Sequence, residues 1–394
     1  MRRGRLGARL KALALVAPLL AFLVVFFLLP LATMISAALS DATVREAFPT
    51  AARALSSWTE ELPPPPEIQA TIIADLQALD DRAAFGNAVR RLNSAVPGYR
   101  SLLSTTASAV RDLPPGPVDL SEIDPRWSDE RYWRAFQKSV PPVTDQNLLA
   151  AMDLRRDADG EIVSVAGTAS ANRAILIRTF VISASVTALC AMIGLPYAML
   201  AAAAKGWLRS ALLIAVLVPL WTSLLVRTAA WVVLLQNEGL INGALEALGV
   251  TDAPLPLIFN RTGVIIAMTH VLLPFMVLPI YSVLLSIPAN LMSAAAALGA
   301  PPLRAFWHVL LPLSLPGLLS GSLLVFMVAL GYYITPALVG GADDQMISSI
   351  IAFYAMETAN WGMAGALGLL LLVATMAIYV VYGRLARTPA MIGA

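Results

Sequence analysis

Hydrophobic positions in this chain come in long unbroken runs, not in the i, i+3, i+4 stripes of helices packed on a soluble core. Ala12–Leu39 and Thr179–Ala204 contain no charged residue, and Ser210–Asn237 contains one, Arg227. Thr262–Leu303 has no Asp, Glu, Lys or Arg, but Pro288 and Asn290 punctuate it, so a spanning helix there is predicted to end near Leu285. A fifth run follows Pro312 and Pro316 to about Leu338, and a sixth covers Gly362–Tyr382. A bilayer is crossed by about 20 apolar residues. The predicted fold class is therefore all-α, a polytopic membrane protein with six transmembrane helices, whose internal Gly and Pro are tolerated where packed neighbours satisfy the freed backbone.

Between the first and second runs the pattern changes. Residues 41–173 hold 14 of the 27 Lys and Arg and 19 of the 25 Asp and Glu. The expected domains are a basic N-terminus with the first helix (1–40), a mainly helical periplasmic insertion (41–173), and a five-helix core (174–394). Within the insertion, Ile68, Ile72, Ile73, Leu76 and Leu79 recur at helical spacing over Glu67–Leu79. Pro63–Pro66 and Pro114–Pro117 break the chain. Ile123, Trp127, Tyr132, Trp133 and Phe136 are candidates for a small core. Arg155–Gly160 followed by Glu161–Val165 reads as a β-hairpin about an Asp-Gly turn. Its Asp-x-Asp-Gly run lacks the later ligands of a calcium loop.

Charge sets the orientation. Arg2, Arg3, Arg5, Arg9, Lys11, Lys205, Arg209, Arg304, Arg384 and Arg387 fall on one side of the predicted spans, and every acid falls on the other. By the positive-inside rule both termini are expected in the cytoplasm. The first run is too long for the core of a cleaved signal peptide, which is about 7–15 residues, so it is expected to stay as a membrane-spanning helix.

Several chemistries are excluded. Lone Cys190 rules out an internal disulfide and a cysteine-based metal site. None of Lys11, Lys138 and Lys205 follows a glycine, so the chain has no P-loop. His270 and His308 lack nearby carboxylates for a metal site or a hydrolytic triad. A net charge of +2 gives no reason to expect nucleic acid. No enzyme, metal or bound cofactor is expected. Proton- and sodium-coupled carriers hide ionisable groups at mid-membrane. Only Arg227 lies deep here, and an arginine cannot release its proton.

Between spans four and five, at about 287–312, lies an apolar loop whose only charge is Arg304. Its sequence predicts a short helix, Leu291–Leu298, started by Asn290 as N-cap and stopped by Gly299, then a second segment with Phe306, Val309 and Leu310. So apolar a loop on the cytoplasmic side needs a covering partner. It resembles the EAA loop of binding-protein-dependent ABC transporter permeases, a pattern of Glu-Ala-Ala, three residues, Gly, nine residues, Ile-x-Leu-Pro. Ala294, Ala295, Gly299, Leu311 and Pro312 match at the required spacing, while Ser293 replaces the Glu and Val309 the Ile. Three further segments resemble the spermidine/putrescine-type branch: Arg178–Ala198; Pro219–Ser223 with Arg227, Thr228, Trp231 and Glu238–Asn242; and Leu330–Gly341.

The resemblance implies a permease subunit of an ATP-driven importer for a polyamine or similar small organic solute. The implied partners are an ABC ATPase dimer that carries the ATP and Mg, a second permease subunit, a periplasmic solute-binding protein and membrane lipid. The loop residues Ser293, Ala294, Ala295, Gly299, Arg304, His308, Val309, Leu311 and Pro312 would couple to the ATPase. Trp221, Arg227, Trp231, Tyr332 and Tyr333 are candidates for the solute path, although aromatic residues also anchor span ends and Arg227 could instead bond carbonyls at a kink. Glu238, Asp343, Asp344 and Glu357 are candidate charges at the outer mouth. Gly362, Gly365 and Ala366 are small residues suited to helix packing. A stand-alone channel or secondary transporter is the competing expectation.

Overall fold

A computed structural model of the chain describes residues 15–58, 62–79, 81–112, 118–156, 161–165, 171–358 and 360–386. Most of these are helical, with one two-stranded hairpin. Among the described residues, six helical stretches are long and apolar enough to cross a membrane. The chain divides into two compact units, residues 1–170 with 360–369, and residues 171–359 with 370–394.

The first unit begins with the spanning helix Leu15–Leu39. Its Val24–Leu28 stretch widens into a π-helical turn that ends two residues before Pro30. Proline cannot donate to the carbonyl four residues back and its ring crowds that carbonyl, so a wider turn is a natural relief. The insertion follows as short helices around a core of Phe48, Tyr99, Trp127, Trp133 and Phe136. Its buried polar groups are paired. The Trp133 indole N–H donates to Trp127 O (2.6 Å), and that of Trp127 donates to Thr106 Oγ1 (2.9 Å). The Asp75 carboxylate accepts from the backbone N–H of Thr50 (2.9 Å) and Ala51 (2.8 Å), capping the helix Pro49–Ser56 from a different helix. The helix expected over Glu67–Leu79 runs Pro66–Gln77, and Trp127, Tyr132, Trp133 and Phe136 are all buried, with Ile123 packed beside them. The hairpin pairs Leu154–Arg156 with Ile162–Ser164; its turn and the Asp-x-Asp-Gly run lie outside the described residues, as do residues 1–14 with their basic side chains.

The insertion is tied to the end of the first span at Asp41. Thr144 N–H donates to Leu39 O (2.8 Å), Asp41 N–H to Pro142 O (3.2 Å), and the Asp41 carboxylate pairs with Arg91. Burial pushes the Asp41 carboxyl up, but hydrogen bonds from Thr43 and Arg91 outweigh it and hold the group below its ordinary range. A folded-state value below the unfolded one contributes stability above about pH 4 and loses it as pH falls through the folded value. Asp41→Asn should therefore cost the insertion about 2–3 kcal/mol at neutral pH and flatten the acid limb of its unfolding curve, read from tryptophan fluorescence.

Small residues bring Trp361–Leu369 onto the first span, as expected for Gly362 and Gly365. A Cβ on Gly365 would lie 2.6 Å from Met34 O, and one on Gly368 3.1 Å from Met34 Cε. Gly365→Leu should separate these helices and expose Met34 to a membrane-permeant carbene label; unchanged labelling would show that the contact is dispensable.

In the second unit the helices Asn172–Ala203, Arg261–Ser286 and Leu311–Gly331 pack together about Met276, Val277 and Ile280. Asn260 caps the middle one, its Oδ1 accepting from Gly263 N–H (3.0 Å). The sixth predicted span is realised as Trp361–Ala386. Two predicted spans are corrected. The third is not one helix but three pieces, Gly206–Trp221, Leu224–Leu235 and Leu240–Ala247. Thr222 and Ser223 are extended, with ψ of 149° and 140°, and the Thr222 hydroxyl donates to Pro219 O (3.0 Å), side-chain bonding that competes with the helical ladder. The fifth helix stops at Gly331, short of Leu338, and resumes as Ile334–Val339. Pro336 cannot donate to Tyr332 O; the Ser348 hydroxyl donates to that carbonyl instead (2.6 Å). Ser348 belongs to Ile347–Met356, an apolar helix of 10 residues that no sequence run had signalled and that is too short to cross a bilayer alone.

Candidate functional site

The loop between the fourth and fifth spans folds as a helix, Asn290–Ala297, followed by a turn and the short helix Pro302–Ala305. Asn290 is not its N-cap. The Leu291 N–H donates to Pro288 O (3.2 Å), so a turn has formed before Asn290, which enters already helical, and Ala289 occupies the cap position without a side-chain bond. The stop at Gly299 is as expected and its geometry explains it. Gly299 has φ +83°. Its N–H donates to Ala296 O (2.9 Å) and the Ala300 N–H donates to Ala295 O (3.0 Å), the paired bonds of a Schellman C-cap. Phe306–Leu310 then forms a second π-helical turn, again ending two residues before a proline, Pro312.

This segment is apolar and uncovered. No residue of Asn290–Ala297 or Phe306–Leu310 is buried, Leu298 is 89% exposed and Leu303 71%. The His308 ring bonds Arg304 O one turn back (Nδ1 to O 3.0 Å), so these two polar groups share a face beside the Phe306–Trp307 ring pair. Ser293 and Ala294 are exposed, Ala295 and Val309 half-buried, and Leu311 and Pro312 begin the fifth spanning helix.

A second cluster forms at the two helix breaks. Arg227 and Trp231, one turn apart on Leu224–Leu235, share a face of that helix. The Trp231 indole N–H donates to His270 Nδ1 (3.2 Å), with ring centroids 5.4 Å apart in an edge-on arrangement. Arg227 lies within electrostatic reach of both His270 and Tyr332, and Thr335 lies beside Tyr332. Thr335 in turn meets Thr228 (Oγ1 to Oγ1 3.1 Å), locking the helix after one break to the helix after the other. Arg227 Nε and Nη1 are buried without a hydrogen-bond partner, as are the hydroxyls of Ser183 and Thr269.

Thus three of the five candidate path residues, Arg227, Trp231 and Tyr332, come together. Trp221 ends the helix before the first break and is 78% exposed, and Tyr333 lies exposed at the second break. His270 and Thr335 were missed as members, because they join the cluster from distant segments. Among the outer charges, Glu238, Asp343 and Glu357 are exposed, whereas Asp344 pairs with Arg261 (3.3 Å). Asn242, in the Glu238–Asn242 motif, has a structural role: buried, it donates to Gln236 O (3.1 Å) and Leu255 O (3.0 Å) and accepts from Leu255 N–H (2.9 Å).

Residues 194–389 match the model of the family described as binding-protein-dependent transport system inner membrane component. The chain is 32% identical over 213 residues to the spermidine/putrescine transport system permease protein PotB of Escherichia coli, an alignment covering 54% of this chain and 78% of that protein. It belongs to this permease family. The Haemophilus influenzae PotB is 35% identical over 198 residues, covering 50% of this chain and 69% of that protein. The molybdenum transport system permease protein ModB of Mycobacterium bovis is 34% identical over 223 residues, covering 56% and 81%. A crystal structure of a bacterial alginate ABC transporter in complex with an alginate pentasaccharide-bound periplasmic protein aligns with a TM-score of 0.45 at 17% identity, over 55% of this chain and 78% of that one. The protein is thus a multi-pass inner-membrane component of a transport system. The permease family match takes in the Asn290–Leu310 segment and the Arg227 cluster and leaves out the first span and the insertion.

Proposed function

We propose that this chain is the membrane-spanning half of an ATP-driven importer, with Asn290–Leu310 as the element that a partner ATPase grips. The single observation that carries this reading is an apolar helix, capped at Gly299 and with no fully buried residue, joined through Pro302–Leu310 to the fifth span. An exposed apolar surface of this kind marks an interaction site. Its helical continuity with Leu311–Gly331 gives nucleotide-driven closure of the ATPase dimer a stiff lever on the bundle, which fits rigid-body alternating access.

In this reading both termini and the coupling segment face the cytoplasm, and the insertion faces the periplasm. A second permease subunit completes the path, and a periplasmic solute-binding protein delivers the cargo. Likeness to the spermidine/putrescine permeases supports a small organic amine of the polyamine type as that cargo. Exposed Glu238, Asp343 and Glu357 would draw a cationic amine or the binding protein toward the mouth. ATP and Mg belong to the ATPase partner.

The test is co-expression with the cognate ATPase and binding protein. The ATPase should co-purify with the wild-type chain and be lost on deletion of Ser293–Leu298, with membrane insertion intact. Uptake by the chain in liposomes without any ATPase would instead establish a stand-alone channel or secondary transporter.

A further inference from the structure

Arg227 poses an electrostatic problem that this chain does not solve. Its Nε and Nη1 are buried without a hydrogen-bond partner, and no ion pair reaches it among the described residues. No Asp or Glu lies in any of the helices Asn172–Ala203, Gly206–Trp221, Leu224–Leu235, Arg261–Ser286, Leu311–Gly331 or Trp361–Ala386. An unpaired guanidinium within a membrane span is costly and persists where it faces a partner group or a water-filled path. No acid among the described residues reaches Arg227, which leaves a partner subunit, a water-filled path or the solute to balance it.

The surrounding groups specify what that charge resembles. An indole N–H only donates, so His270 Nδ1 must accept, and the neutral ring carries its proton on Nε2, a further donor. His270 is exposed at the chain surface, while Arg227, Trp231 and Tyr332 are half-buried around it. Arg227 sits in the first turn of Leu224–Leu235, whose N-cap Ser223 makes no side-chain bond, so the positive end of a discontinuous helix adds to its field. The cluster therefore offers donors and positive potential and no acid, beside two aromatic rings. That set suits a carboxylate or oxyanion attached to a small organic body.

Resting on the importer reading above, we propose that Arg227, with the His270 ring beside it, binds an anionic group of the transported solute, so that the cargo is an amine carrying a carboxylate rather than a pure polycation. A plain polyamine meets repulsion at Arg227, whereas an amino acid of the same skeleton can place its carboxylate there and its ammonium toward the Trp231 and Tyr332 rings.

The test uses the whole transporter, with ATPase, second permease and binding protein, in membrane vesicles. The probes are matched pairs differing by one carboxylate: ornithine and putrescine, lysine and cadaverine, arginine and agmatine. In at least one pair the carboxylate member should enter about tenfold faster than its partner, from the specificity a charged hydrogen-bonded pair confers. Arg227→Gln should erase that preference while the ATPase and second permease still co-purify, and Arg227→Lys should keep part of it. Preference for the amine members with Arg227→Gln unaltered would overturn the proposal, as would uptake of none of the six. Loss of the second permease from the Arg227→Gln complex would also overturn it, by assigning the carboxylate to that subunit. Absence of the ATPase from the wild-type complex would fail the importer reading itself, a result separable from lost carboxylate preference.

Discussion

Gly299→Val is expected to abolish ATP-driven uptake while leaving the chain inserted in the membrane. The reason lies in the backbone and not in packing. Gly299 has φ +83°, and a Cβ built there meets nothing within 4 Å. A β-branched residue in this left-handed conformation is strained by about 1–2 kcal/mol. Relief would come by unwinding the Schellman cap, which frees the carbonyls of Ala295 and Ala296 and loosens the link between Asn290–Ala297 and Pro302. In the importer reading, a coupling element that no longer holds a fixed angle cannot carry ATPase closure into the fifth span. Gly299→Asn is the informative control, because asparagine tolerates the left-handed region. It should keep most of the uptake in vesicle assays where valine keeps none. Equal activity of the two variants would separate coupling from the capped geometry.

The largest stability effect is expected at Gly321. A Cβ there would lie 2.9 Å from Met276 Sδ and 3.0 Å from Met276 O, and one on neighbouring Gly317 would lie 2.9 Å from both Ile280 Cα and Pro279 O. A Cβ on Gly194, in the second span, would lie 2.8 Å from Met276 Cγ. Three helices thus converge on one methionine with no room for a larger residue. Gly321→Leu forces the fourth and fifth spans apart and should cost about 3 kcal/mol, the upper end of ordinary overpacking. Size-exclusion chromatography in detergent should show loss of the monodisperse peak. Gly243→Ala, where a Cβ meets nothing within 4 Å, should leave it unchanged. A well-behaved Gly321→Leu protein would mean that this interface is looser than its distances imply.

Much of this architecture was legible because the membrane imposes a simple code. Runs of about 20 uncharged residues can be read directly as spans, and four of the six appear as continuous helices near the predicted bounds. The insertion core was legible because Trp127, Trp133 and Phe136 stand out in a polar stretch. What the code misses are interruptions within apolar sequence. The breaks at Thr222–Ser223 and Tyr332–Tyr333 leave hydropathy unchanged, and only Pro219 and Pro336 hinted at them. The Asn290 cap failed because Pro288 had already begun the turn. His270 and Thr335 joined Arg227 through pairings between distant segments, which no local spacing encodes.

Leu298 offers the most direct measurement. It is 89% exposed at the end of the proposed coupling helix, and the lone native thiol, Cys190, is buried, so a cysteine introduced in place of Leu298 reports without interference. In the assembled transporter, Leu298→Cys should crosslink to the ATPase through a short bifunctional thiol reagent, with a yield that changes when ATP is bound. An introduced thiol that instead reacts with lipid-soluble reagents, or with impermeant reagents added from the periplasmic side, and yields no ATPase adduct, would contradict a coupling role for this helix.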